Sequence, residues 1–326
     1  MRIARRLLAA CIVLTAACTS TPGTTAKSRS RLASPPPAPY LMFVDMSSSD
    51  TFKHVVLASL SDPAGPVFVT PLVCERVYFA GGRGLCLAEA SADDLPVRQW
   101  AVAFDGSFET RHRFPLYGVP SRVRISPGGH WAATTLFENG HSYAERGFST
   151  MTRVFDLEAN AVAIDDLEEL AVTRNGAVFK AADFNFWGVT FARDADTFYA
   201  TLASGDRDYL IRGGVTTKSA SVIHEGVECP SLSPDNRRIA FKKRIGGARG
   251  WWQIVVLDLE SMAEKPMWSE TRSVDDQVEW LDAAHVMYHL ANGSTGADIW
   301  VAAVDGSTPP RVLVPGGYSP AVVPLR

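Results

Sequence analysis

The chain has 326 residues, 46% of them hydrophobic, and 32 basic against 35 acidic side chains give a formal net charge of −3. With no basic stripe in view, this composition argues against nucleic acid as a partner. No apolar run reaches the ~20 residues that a membrane-spanning helix needs, so the mature body should be soluble.

The N-terminus differs from the rest. Arg2, Arg5 and Arg6 precede the apolar run from Leu7 to Ala17, and a basic start with a short apolar core is the pattern of a secretory signal. The run ends in Leu14-Thr15-Ala16-Ala17-Cys18, which resembles the bacterial lipobox. Residues 1–18 are therefore read as a signal with lipidation at Cys18, and the expected product is an exported lipoprotein on the outer face of the cell membrane. Cleavage further on, releasing a soluble secreted protein, is the alternative. Removing three arginines leaves 29 basic against 35 acidic residues, a net −6.

Residues 19–39 (TSTPGTTAKSRSRLASPPPAP) hold almost nothing to bury, and such a segment does not repay its ordering entropy. It is predicted to be a disordered tether ahead of a globular body over 40–326. Three cysteines lie in that body. Cys74 and Cys86 flank the short turn region Gly81-Gly82-Arg83-Gly84, and because disulfides persist outside the cytoplasm, they are the expected pair. Cys229 is read as a buried free thiol. The spacing suggests no zinc site.

Along the body, β-branched and alternating runs recur every 8–15 residues, broken by Gly, Pro, Asp and Asn. Arg76-Val77-Tyr78-Phe79-Ala80, Ile254-Val255-Val256-Leu257 and Ile299-Trp300-Val301 are examples, and the pattern predicts an all-β fold. The runs also repeat. Cys229-Pro230-Ser231-Leu232-Ser233-Pro234-Asp235-Asn236 leads into Arg238-Ile239-Ala240-Phe241 and then Gln253 to Leu259. The same order appears around Ser126-Pro127-Gly128-Gly129, around Phe191-Ala192-Arg193-Asp194 and around Trp280-Leu281-Asp282. Proline and aspartate set such a turn, and glycine or asparagine supplies its positive φ. A lone four-stranded sheet cannot bury both faces, so several must pack radially as blades.

The unit Ser233-Pro234-Asp235-Asn236…Ile239-Ala240-Phe241…Ile254-Val255-Val256-Leu257-Asp258 resembles the repeat of TolB-like propellers. The resemblance implies a six-bladed β-propeller, with seven blades as the alternative count. Blades two to six are placed at about 72–116, 119–173, 184–224, 228–272 and 277–314. Blade one takes three strands from Tyr40 to Thr70 and its inner strand from Ser319-Pro320-Ala321-Val322-Val323, so that the two chain ends close the ring. TolB-like proteins serve as envelope scaffolds. TolB itself carries an α/β domain where this chain has the tether, so the likeness is one of propeller fold.

In this arrangement the loops from each outer strand to the next inner strand share one face with the loops between second and third strands. That loop face is expected to bind, through Arg122, His141, Tyr143, Asn185, Trp187, Glu228, Asp275, Asp276, Gln277 and Glu279. The favoured reading of Asp275-Asp276 by themselves is that they cap backbone N–H groups at a strand entry, and that of Phe184, Phe186 and Trp187 is that they seal the core between blades. Adjacent strand residues point to opposite faces, so Asp275 and Asp276 alone make a poor catalytic dyad. No Gly-x-Ser-x-Gly elbow, phosphate loop or Ca²⁺ loop occurs. The chain is thus expected to be a non-catalytic binding or scaffold module for a protein, peptide or envelope polymer, without cofactor or metal. The alternative is a propeller enzyme of lyase, lactonase or glycosidase type, drawing on Asp183, Glu228, Asp276 and Glu279.

Overall fold

A computed structural model describes residues 29–324 except 48–49, 95, 195, 247–250 and 294–295. The signal, Cys18 and the first part of the tether lie outside the described residues. Six sheets, antiparallel but for one pairing in blade four, surround a central channel, and their inner strands are Gly317–Val323, Arg76–Ala80, Val119–Ile125, Asn185–Phe191, Glu228–Leu232 and Glu279–Trp280, for blades one to six. The expected ring closure is present: Tyr40–Asp45 pairs with Gly317–Val323, with Tyr40 opposite Val323 and Asp45 opposite Gly317.

Period-two side-chain alternation explains why these strands are apolar almost throughout. In Tyr40–Asp45, Leu41 and Phe43 enter a core shared with blade six, whereas Met42 and Val44 enter one shared with blade two. Comparable clusters fill the seams between blades two and three, three and four, four and five, and five and six. Every blade is therefore buried on both faces.

The repeated turns work as their residues imply. The Ser233 hydroxyl accepts from the Arg238 N–H at 3.0 Å and donates to Asp235, while Asn236 sits at φ 60°. Ser126 accepts from the Trp131 N–H at 2.9 Å, with Gly129 at φ 78°. Cys74 and Cys86 form the predicted disulfide, and Cys229 is a buried free thiol.

Two boundaries need correction. Blade three ends at the strand Ala161–Ile164 and not near 173. The next segment, Ala171–Arg174, pairs in parallel with Ser219–Glu225 and so widens blade four to six strands with Ala177–Val178. Leu167, Leu170 and Val172 cause this, because all three are buried in the core between blades three and four. The tether boundary at Pro39 also falls too late. Val67 N–H donates to Ser30 O at 3.0 Å, Leu32 N–H donates to Val67 O at 2.8 Å, and Arg29 lies 5.0 Å from the Phe43 ring centroid. Pro36 is buried as well. Residues 29–39 thus lie against blade one.

Candidate functional site

The loop end of the channel is filled by charged side chains that pair with one another. Arg122 and Arg124 stand two apart on the inner strand of blade three and point into the channel. Across from them, Gln277 and Glu279 stand two apart at the inner strand of blade six. Arg124 lies 3.4 Å from Glu279, whose other oxygen accepts from the Tyr78 hydroxyl at 3.1 Å. Arg122 lies 3.8 Å from Asp275, and its guanidinium donates to the Ser121 carbonyl at 3.0 Å. Asp276 accepts from His289 Nδ1 at 2.6 Å and lies 3.5 Å from Arg76. Lys242 is fully buried, donates to Asp275 at 2.5 Å and lies 3.8 Å from Glu228.

Acidity follows from these pairings. Burial opposes ionisation of Asp276, but His289, Arg76 and Arg122 outweigh it and hold the carboxyl well below the usual range. Asp275 is held down against burial by Lys242 and Arg122. Glu279 goes the other way, because its burial outweighs Arg124. Asp208 is pushed up to about 7, first by burial and then by the neighbouring Glu228 carboxylate. Glu228 also accepts from the Trp252 indole N–H at 2.9 Å and lies 3.1 Å from Arg244.

Above this network lies an aromatic stopper of Phe137, Tyr143, Trp187 and Trp252, packed with Cys229. Tyr143, from the long loop of blade three, bonds Ser121 through its hydroxyl at 2.7 Å, and Lys242 lies 4.1 Å from its ring centroid. Gly188 lets blades four and five meet closely here: it has φ 67°, and a Cβ there would come within 2.7 Å of Cys229 Cα.

Most of the expected binding residues are therefore brought together, but below the surface. Arg122, Tyr143, Trp187, Glu228, Asp276, Gln277 and Glu279 are all buried. Asn185 accepts from the Thr150 N–H at 3.0 Å and donates to Phe148 O at 3.2 Å, which ties blade four to blade three. His141 is exposed at the loop tip, and Asp275 keeps a 35% exposed side chain. Phe184 and Phe186 seal the core between blades three and four. Asp183 stands apart from the other three acids and caps the hairpin at Ser204 and Gly205. The unanticipated members are Arg76, Tyr78, Arg124, Lys242 and His289. A signal for two of them was present: Arg124 repeats Arg122 two residues on, and Lys242 interrupts an apolar strand.

The turn end of the channel is open. A funnel of about 300 Å³ is lined by all six inner strands, with Tyr78, Arg124 and Glu279 at its floor and Pro127, Pro234 and Pro324 at its mouth. Phe79, Phe191, Leu232, Trp280 and Val322 form its walls.

The sequence matches no protein-family model and no curated protein. Among solved structures, the fold is similar to TolB from Acinetobacter baumannii, at 14% identity and a TM-score of 0.58 over 88% of this chain and 66% of that one. A puromycin-hydrolyzing peptidase from Mycobacterium tuberculosis is similar at 12% identity and a TM-score of 0.52, over 86% of this chain and 44% of that one. A functionally unknown protein from Desulfotomaculum acetoxidans is similar at 9% identity and a TM-score of 0.50, over 89% and 100%. The chain spans slightly under two thirds of that TolB and less than half of the peptidase. At these identities the likeness is one of fold.

Proposed function

We propose that this TolB-type propeller is an exported, lipid-anchored binding module that takes a protein partner on its loop face. One observation carries the reading. Among the described residues, eight large hydrophobic side chains are exposed, and six of them (Phe52, Val73, Tyr117, Val119, Trp251 and Trp268) belong to loops or strand ends of that face. Aromatic residues are enriched in interface cores and dominate binding energy there. The residues first singled out for contact, Asp275 and His141 apart, then act as the stiff base beneath these aromatics. The disulfide supports an oxidising compartment, and Cys18 supplies the anchor.

The enzyme alternative finds less support. The channel acids Asp275, Asp276 and Glu279 each have a cationic partner, and Glu228 faces Lys242 and Arg244. A general acid or base needs reach to a substrate proton, and these groups are occupied with one another.

The test is photo-crosslinking in intact cells from probes at Trp251 and Trp268, with a probe at Val162 on the turn side as control. A discrete adduct from the first two alone is expected, and Trp251→Ala with Trp268→Ala should abolish co-purification of that partner. Adducts only from Val162 would overturn the face assignment. Fatty-acid labelling that persists in Cys18→Ala, or is absent from the wild type, would remove the anchor.

A further inference from the structure

The turn-face funnel has a chemistry unlike that of the loop face. Its walls are aromatic and aliphatic, and their hydrogen-bonding capacity is largely spent inside the fold. Tyr78 donates to Glu279, and Arg124 is committed to Glu279 and to the carbonyls of Gln277 and Val278 at 3.3 and 3.0 Å. The Trp280 indole donates to Ser231 O at 2.9 Å, the Thr190 hydroxyl accepts from the Leu232 N–H at 3.1 Å, and Ser233 is held within its own turn. A peptide main chain pushed into this space would leave its N–H and C=O groups unpaired, which is unfavourable. An apolar body without such groups would lose nothing.

The mouth is different. Arg193, in the turn of blade four, and Asn236, in that of blade five, line the funnel. Neither side chain has a hydrogen-bond or ion-pair partner among the described residues, and Arg193 is exposed. The lining holds two arginines against one carboxylate, and that carboxylate is matched with Arg124. One positive charge is left over, at the rim. A guanidinium presents a fork of N–H donors and a carboxamide adds donors of its own, and both suit a carboxylate.

We infer that the funnel binds a small amphiphilic carboxylic acid, with its aliphatic or aromatic body against Phe79, Phe191, Leu232 and Trp280 and its carboxylate at Arg193 and Asn236. A space of this size, apolar with a few polar groups at one end, is of the kind that holds small ligands. The site is separate from the loop-face surface, so either reading can fail while the other stands.

Calorimetry on the purified protein tests it with decanoate below its micelle concentration, alongside decanol and acetate. Decanoate should bind 1:1 and shift the emission of Trp280, a shift that Trp280→Phe removes. Decanol and Arg193→Gln should each weaken binding about tenfold or more, the loss expected for one charge-assisted contact. Acetate should not bind. Leu232→Trp should block the site. If that variant melts below the wild type, Pro324→Trp at the mouth replaces it. No saturable decanoate binding, equal affinity for decanol, or affinity unchanged by both Arg193→Gln and the blocking variant would each overturn the inference. A peptide that displaces decanoate and binds more tightly, with its main chain in the funnel, would overturn the ligand class.

Discussion

The two ends of the channel are built from the same six inner strands and solve opposite problems. At the loop end, Arg76, Arg122, Lys242, Asp275, Asp276 and Glu228 are packed against one another beneath Tyr143 and Trp252. At the turn end, short proline-bearing turns stand back around an apolar funnel. The difference shows that a propeller axis need not be a pore. Paired charges fill it at the loop end, and space remains at the turn end, where the walls are apolar and the turns are self-bonded. Buried ion networks are weak evidence for stability but costly to break one partner at a time. The loop end should therefore be intolerant of single substitutions and the turn end more forgiving.

The largest effect is expected at Asp276. Asp276→Ala would strand Arg76 and leave His289 unpaired, at a cost of about 3–5 kcal/mol in chemical denaturation. A loss below 1 kcal/mol would mean that the loop end is a wet channel and not a plug. Next comes the disulfide beside it: Cys74→Ala with Cys86→Ala should cost about 2–3 kcal/mol for a loop this short. At the turn end, Asn236→Ala should cost only about 1–2 kcal/mol, because alanine is strained at φ 60°. Asn236→Gly should restore most of it. A cost at Asn236 equal to that at Asp276 would erase the contrast between the ends.

The smallest effect is a dependence on pH, and its sign differs within the loop end. The Asp208 carboxyl titrates at about 7 when folded and near 3.9 when unfolded. The proton that the fold keeps on Asp208 therefore contributes stability that is fully present below about pH 4 and is lost as pH rises from there through 7. Asp275 and Asp276 are depressed, so their contribution is present above about 4 and is lost as pH falls. Melting temperature should accordingly decline slightly between about pH 4.5 and 7 and level off above that, and Asp208→Asn should flatten that decline. An unchanged slope in the variant would assign the decline to another group.

Much of the fold could be read from local chemistry. The Ser-Pro-Asp turn names itself through residues within five positions of each other, and Cys74 and Cys86 lie across one hairpin. The closing strand was legible because Ser319-Pro320-Ala321-Val322-Val323 fits an inner-strand slot that Tyr40 to Thr70 leaves empty. The site was less legible because its bonds span the ring. Asp276 meets Arg76 at a separation of 200 residues and Tyr78 meets Glu279 at 201. No window along the chain contains both partners. The exposed tryptophans were missed for a related reason: Trp251 and Trp268 read as ordinary apolar residues until their loops are seen to turn outward.

The closure of the ring also governs timing. Tyr40–Asp45 is made before blades two to six, and its partner Gly317–Val323 is made after them. Blades two to six can form as their own strands appear, but blade one must wait with an unpaired edge until Gly317–Val323 has been made. Contacts between sequence-distant segments form slowly because loop closure comes before any gain from pairing. The seam should therefore be the last part of the molecule to assemble and the first to open under load, and residues 29–39 lie against the same blade.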